Sequence, residues 1–145
     1  MTAVDGNEGP AQVQAGVSLS VLRTPAATMA RLTGELDIAT IRTVREGLLS
    51  MLLSAARLLV IDLSEVSFCD VAGLAMLIDM QRRASRRGIT VRLAAPRPQL
   101  ARLLRATGLD RSFTICATVG DAVPAQGDGP PAAVFPPPAG ADPAT

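Results

Sequence analysis

Residues 58–63 read LLVIDL, and this stretch decides the fold because five of its six residues are apolar. A short and nearly continuous apolar run is typical of a β-strand that is buried on both faces, as in parallel sheets covered by helices. The run therefore predicts the central strand of an α/β domain.

Segments with helical periodicity flank this strand on both sides. Residues 39–55 carry one apolar stripe at helical spacing. After the strand, Asp70 is placed to cap a helix over residues 71–87, and Gly88 ends it. A strand between two helices indicates right-handed crossovers and a largely parallel sheet.

The rest of the sequence supplies the other elements of this sheet. Alternating residues on both sides of Thr24 and Pro25 predict an N-terminal β-hairpin at one edge. Gly108 ends a third helix that begins near Pro96 and Pro98. The further predicted elements are strands at 17–23, 28–33, 89–94 and 112–116 and a short helix at 119–123. The predicted fold class is α/β, with a mixed, mostly parallel sheet of about five strands and three to four helices.

Composition divides the chain into three segments. Residues 1–16 are small and polar, and residues 124–145 are a mixture of Pro, Gly and Ala with little to bury, so both are expected to be disordered. Residues 17–123 form the predicted domain.

Charge is distributed unevenly between these segments. All fourteen basic residues are arginine and lie in 17–123 with nine of the acids, which gives the domain a net charge of +5 and the tails −4. Arg82, Arg83, Arg86 and Arg87 follow each other at the end of the second helix, where cations favour the helix dipole. Without interleaved aromatic residues they do not predict nucleic-acid binding.

Missing residue types exclude several chemistries. The sequence has no His and no Lys, so it lacks the commonest general base and metal ligand, the Schiff-base amine and the P-loop lysine. Cys69 and Cys116 match no metal-ligand spacing. We therefore expect no metal, no cofactor and no enzymatic activity.

The N-terminal residues give no targeting signal. Met1 to Pro10 lack a basic region followed by an apolar region. The longest apolar stretch, 48–61, is interrupted by Ser50, Ser54 and Arg57 and is too short to span a bilayer. We expect a cytoplasmic protein without a membrane span.

Two segments follow neighbouring inner strands and should meet at one end of the sheet. They are residues 32–40, with Glu35 and Asp37, and residues 68–77, with Asp70. Sites in α/β sheets commonly lie beyond strand ends. A pair of carboxylates could act in acid/base catalysis, but an aspartate at a helix start is ordinarily a cap.

Three motifs in this order resemble the STAS domain of bacterial anti-sigma factor antagonists. They are GELD at 34–37, VIDL at 60–63 and FCDVAGL at 68–74. The resemblance covers residues 17–123 and implies a STAS-like fold.

In that family, the serine after the motif aspartate is phosphorylated by an anti-sigma factor that is also a kinase. The unphosphorylated domain binds this kinase and frees the sigma factor. Val71 occupies the acceptor position here, and Ala72 follows it. Because neither side chain has a hydroxyl group, no phosphorylation is expected at this position.

The resemblance predicts an anti-sigma factor of the ATPase/kinase type as the partner. The expected partner-binding residues are Asp37, Asp70, Val71, Ala72, Gly73 and Leu74. Asp70 is expected to cap and orient the turn, Gly73 to allow close approach and Leu74 to supply an apolar contact.

Other readings of the sequence stay open. The chain could be a STAS adaptor subunit of a transport or stress-signalling complex, a family member that has lost its partner, or a small enzyme acting through Asp37 and Asp70. Ser64, Ser67, Thr40 and Thr43 are nearby hydroxyl groups, although such residues at loop and helix starts usually serve as caps.

Overall fold

The computed structural model describes residues 8–14, 16–54 and 56–123, with the backbone alone for 8–14. In these ranges strands and helices alternate after an N-terminal antiparallel unit. The elements are β1 (Glu8–Gln14), β2 (Val17–Arg23), β3 (Thr28–Leu36), α1 (Ile41–Leu52), β4 (Leu58–Cys69), α2 (Val71–Arg86), β5 (Thr90–Ala94), α3 (Pro98–Ala106), a short 3-10 helix (Leu109–Arg111), β6 (Thr114–Cys116) and α4 (Val119–Ala122).

The six described strands form one sheet in sequence order, from β1 at one edge to β6 at the other. The pairs β1/β2 and β2/β3 are antiparallel, and the three pairs from β3 to β6 are parallel. This arrangement confirms the predicted α/β class with a mixed sheet.

The central strand is buried on both faces, as the LLVIDL run predicts. Leu59, Ile61 and Leu63 pack into the main core with α1, α2 and α3. Leu58 and Val60 point to the other face, where a smaller cluster includes Ala122 of α4. Alternate residues of β4 therefore serve two cores, which explains why the run is almost continuously apolar.

Residues 8–14 form a strand that the sequence analysis does not predict. The small, polar composition of residues 1–16 predicts disorder, whereas β1 pairs with β2 over its length, from Glu8 opposite Leu22 to Gln14 opposite Val17. The β2/β3 hairpin is consequently one strand removed from the edge, and the sheet has six strands instead of five. Residues 1–7 and the predicted tail at 124–145 lie outside the described residues.

Both inner strands are longer than predicted. β3 ends at Leu36 and not at residue 33, and β4 ends at Cys69 and not at residue 63. Backbone pairing between the two strands continues past the apolar run, with irregular register between Arg31 and Thr33 and between Gly34 and Glu35. The polar side chains in the sequence SEVSF do not predict a strand, but the backbone hydrogen bonds of a sheet form regardless of side-chain polarity. Hydrophobic patterning therefore misses this extension.

Asp62 is the polar residue within the LLVIDL run of the central strand, and it is buried. One carboxylate oxygen accepts a hydrogen bond from Arg31 Nε at 3.1 Å, and the other accepts from the Ser64 backbone N–H at 2.9 Å. Both oxygens are thereby satisfied beside the first irregularity in the β3/β4 ladder.

The helices are short. α2 is the longest described helix with 16 residues, and α1 has 12. In the described part of the chain, no helix is long and apolar enough to cross a membrane.

Candidate functional site at the ends of β3 and β4

The ends of β3 and β4 meet at one corner of the sheet. Leu36 pairs with Cys69 as the last residues of the two strands. The next backbone N–H, that of Asp70, donates a hydrogen bond to the Leu36 carbonyl oxygen at 3.0 Å. Asp37 and Asp70 are therefore the first residues after the paired ends of the two strands. The two predicted segments do lie side by side.

Asp70 is the N-cap of α2. Its backbone is extended, and its Oδ1 accepts a hydrogen bond from the Gly73 backbone N–H at 3.1 Å. An aspartate at this position satisfies one of the unpaired N–H groups of the first turn and favours the positive end of the helix dipole. The predicted capping of α2 is confirmed.

Asp37 caps the turn that leads into α1. Its Oδ1 accepts hydrogen bonds from the backbone N–H groups of Ala39 and Thr40, at 3.0 and 3.1 Å. The Thr40 hydroxyl donates to the Glu35 carbonyl oxygen at 2.7 Å and accepts from the Asp37 N–H at 3.1 Å. This network fixes the β3/α1 turn beside the start of α2.

Gly73 and Leu74 lie inside the molecule, which corrects the roles expected for them. Leu74 is 3% exposed and belongs to the main core, so its side chain has no surface to offer a partner. A Cβ on Gly73 would lie 2.6 Å from Cys69 Sγ and 2.9 Å from the Leu36 carbonyl oxygen. The absence of a side chain lets α2 approach the paired strand ends, and not a partner protein.

Three large apolar side chains are exposed at this corner. Val71 is 71% exposed, Ile38 78% and Phe68 43%. Each lies within two positions of the Leu36–Cys69 pair. Leu53, at the end of α1, is the other large exposed apolar residue in the described ranges. We refer to Ile38, Phe68 and Val71 as the apolar corner.

Val71 is among the site residues expected from the sequence, whereas Ile38 and Phe68 are not. Both stand beside motif residues, since Ile38 follows Asp37 and Phe68 precedes Cys69. An apolar residue next to a predicted capping turn is the sequence signal that could have identified them as surface residues of the site. The sequence alone does not show whether such a residue is buried or exposed. Ala72, the remaining expected site residue, is half-buried in the first turn of α2.

The corner holds no activated nucleophile among its described residues. Burial, together with the negative charge of Asp70, raises the pKa of the Cys69 thiol to about 12. A thiol with this pKa stays protonated at neutral pH and is a poor nucleophile. The carboxylates of Asp37 and Asp70 are both engaged as acceptors in capping hydrogen bonds.

The described residues also contain no group of three or more carboxylates and thiols placed to hold a metal ion. A groove of about 650 Å³ lies at the other end of the sheet, between the C-terminal ends of α1 and α2. Its lining includes Leu53, Arg57, Arg86 and Arg87 and none of the corner residues. This groove is therefore separate from the apolar corner.

Comparisons with known proteins agree on the type of domain. The family model described as STAS domain matches residues 18–122. A crystal structure of an anti-sigma factor antagonist from Mycobacterium paratuberculosis is similar at 24% identity with a TM-score of 0.69, covering 77% of this chain and 94% of that chain.

Two further solved structures have the same fold. An anti-sigma factor antagonist (STAS) domain protein from Planctomyces limnophilus matches at 17% identity and a TM-score of 0.63, over 72% of this chain and 92% of that one. The Bacillus cell fate determinant SpoIIAA in its phosphorylated form matches at 19% identity and a TM-score of 0.54, over 68% and 90%.

Proposed function

The chain belongs to the STAS domain family, and from that premise we propose that it is an anti-sigma factor antagonist that binds its partner without phosphorylation at position 71. The observation that carries the proposal is Val71 itself. It is 71% exposed at the start of α2, where the family resemblance expects a serine. The proposed partner is an anti-sigma factor of the ATPase/kinase type.

Binding through apolar contacts is supported by the composition of the corner. Ile38, Phe68 and Val71 are all exposed at the corner. Burying such side chains in an interface is favourable by about 25 cal/mol per Å² of apolar area. Exposed apolar residues that cluster often mark protein-binding surfaces. Asp37 and Asp70 support the surface by fixing the two turns that carry Ile38 and Val71.

The side chains at the start of α2 support the proposal that no phosphate switch operates at position 71. Phosphate transfer needs a hydroxyl acceptor, and neither Val71 nor Ala72 has one. Thr40 has a hydroxyl near this corner, but it is 4% exposed and hydrogen-bonded to the Glu35 carbonyl oxygen. At position 71, therefore, the proposed antagonist has no acceptor whose phosphorylation would end binding.

The missing acceptor has a consequence for the partner. In the family mechanism, phosphorylation puts a charge of about −2 at the α2 N-terminus and changes the binding surface. Because valine has no hydroxyl group, the kinase cannot phosphorylate position 71. The proposed complex therefore lacks release by phosphorylation at this position. We propose that the protein acts in the cytoplasm with both cysteines reduced, as the structure has them.

The test is affinity purification from the native cell followed by mass spectrometry. The bait proteins are the wild type, an Ile38→Arg/Val71→Arg double variant and a Leu53→Arg control. The control places the same charge on the exposed apolar residue at the far end of α1. We expect an ATPase/kinase anti-sigma factor to bind to the wild type and to the control but not to the double variant.

Two results would overturn parts of this proposal. If the double variant is folded and retains the anti-sigma factor, the apolar corner is not the binding surface. If the wild type recovers a transporter subunit or a stress-signalling scaffold and no anti-sigma factor, the chain is an adaptor subunit instead.

A further inference from the structure

β4 extends well beyond its neighbour β5. β5 pairs with residues Leu58 to Asp62 only, whereas β4 continues to Cys69. On its other edge β4 remains paired with β3 up to Cys69. The backbone groups after Asp62 that face β5 consequently need hydrogen-bond partners other than a strand.

The start of α3 supplies these partners through two side chains. Arg97 Nε donates a hydrogen bond to the Ser64 carbonyl oxygen at 2.8 Å. At the end of β4, the Gln99 side chain makes two hydrogen bonds to Cys69. Its Oε1 accepts from the Cys69 N–H at 3.1 Å, and its Nε2 donates to the Cys69 carbonyl oxygen at 3.0 Å.

The side-chain amide of Gln99 acts here as a residue of a neighbouring strand. A primary amide carries a carbonyl acceptor and N–H donors, the same groups that a peptide unit offers. Both backbone groups of Cys69 are therefore bonded to Gln99, whereas the next N–H along the chain, that of Asp70, donates to the Leu36 carbonyl oxygen of β3 on the opposite edge. Asp70 and Val71 follow Cys69 without an intervening residue.

We propose that Gln99 is a positioning residue for the turn that presents Val71. Its two hydrogen bonds hold the end of β4 against rotation, so that Asp70 meets the Gly73 N–H and the Val71 side chain stands out from the corner. This inference rests on the proposed function, since Val71 is a contact residue only if the corner binds a partner. Neither the family motifs nor the aspartate pattern includes Gln99.

The first test measures amide hydrogen exchange by NMR in the free protein. Gln99→Met keeps the side-chain length and removes both hydrogen bonds. The control is Gln81→Met, because Gln81 Nε2 also donates to a backbone carbonyl, that of Ser112, at 2.7 Å. We expect exchange of the Cys69 and Gly73 N–H groups to accelerate roughly tenfold in Gln99→Met, as the loss of two hydrogen bonds predicts, and to be unchanged in the control.

An exchange rate that rises equally throughout the sheet would show a general stabilising role and would overturn the proposal. So would unchanged protection at Cys69 and Gly73. A local loss of protection, with the β4/β5 amides unaffected, supports it.

The second test measures the affinity for the anti-sigma factor at a temperature at which each variant is folded. We expect Gln99→Met to bind roughly tenfold more weakly than Gln81→Met, because a mobile turn has to be ordered on binding. Equal affinities would show that Gln99 orders the turn without affecting binding. If the wild type binds no anti-sigma factor, the proposed function fails, while the exchange measurement still decides whether Gln99 positions the turn.

Discussion

The Asp70 carboxylate accepts a hydrogen bond from the backbone N–H of Gly73 at 3.1 Å, so the first turn of α2 is capped by the residue that directly follows β4. On the other side, the Asp70 N–H donates to Leu36 on the neighbouring strand. Asp70 thus connects the sheet to the first turn of α2 and directly precedes the exposed Val71.

Replacing Asp70 by alanine should destabilise the protein by about 1 kcal/mol, which is typical for the loss of an N-cap side chain. Asp70→Asn retains an oxygen acceptor and should be close to the wild type. Urea denaturation followed by circular dichroism measures both. Equal midpoints for the alanine variant and the wild type would show that the cap contributes nothing to stability.

Gly73→Ala should destabilise the protein by about 1 to 3 kcal/mol, because overpacking forces neighbouring atoms to move. The new Cβ would lie 2.9 Å from the Leu36 carbonyl oxygen, which belongs to backbone within the sheet. Gly120→Ala is the matched control, since the nearest atom there is 3.9 Å away. Thermal melting of the two variants tests the difference, and similar melting temperatures would contradict close packing at Gly73.

The buried thiols should not react in the native protein. Burial raises the pKa of Cys116 as well as that of Cys69, so both remain protonated at pH 8, where a free cysteine is partly a thiolate. A colorimetric thiol reagent should label neither residue at pH 8 until denaturant is added, and both thereafter. Rapid labelling of one thiol without denaturant would place that cysteine in an accessible, ionisable environment.

Asp79 should make stability depend on pH in the acidic range. Burial acts to raise its pKa, but hydrogen bonds from Arg83 and Arg45, at 3.0 and 2.9 Å, together with their charges, lower it below the usual value. The carboxylate therefore stabilises the fold above the unfolded-state pKa of about 4 and loses this contribution as pH falls through the lower folded-state pKa.

The comparison for Asp79 is the Asp79→Asn variant. We expect the wild type to be more stable than this variant at pH 7 and the difference to shrink below about pH 4. Chemical denaturation at both pH values measures it. A difference that is the same at pH 7 and pH 3 would show that the charge of Asp79 does not matter.

Restoring the hydroxyl at position 71 should restore modification. Val71→Ser places an acceptor at the exposed first position of α2. Incubated with ATP and the copurified anti-sigma factor, this variant should gain one phosphate and then bind more weakly, whereas the wild type should gain none. Mass spectrometry of the intact proteins gives the result. A phosphate on the wild type would reveal another acceptor and would contradict binding without a phosphate switch.

Elements whose signals are local can be predicted from the amino-acid sequence alone. The LLVIDL run marks a strand with two buried faces, and helical periodicity marks α1 and α2. Asp70 predicts the N-cap of α2, because a capping side chain accepts hydrogen bonds from N–H groups only two or three residues away. The order of these elements is enough to indicate the α/β class and the corner at which Asp37 and Asp70 meet.

Which side chains this corner exposes is set by tertiary packing. Pairing between β3 and β4, which are far apart in sequence, carries both strands beyond their apolar runs, and pairing with the neighbouring β2 makes residues 8–14 a strand. The same packing buries Leu74, leaves Ile38 exposed and brings Gln99 to Cys69 across thirty positions of sequence. These outcomes depend on contacts between different segments of the chain, and a local sequence pattern does not specify those contacts.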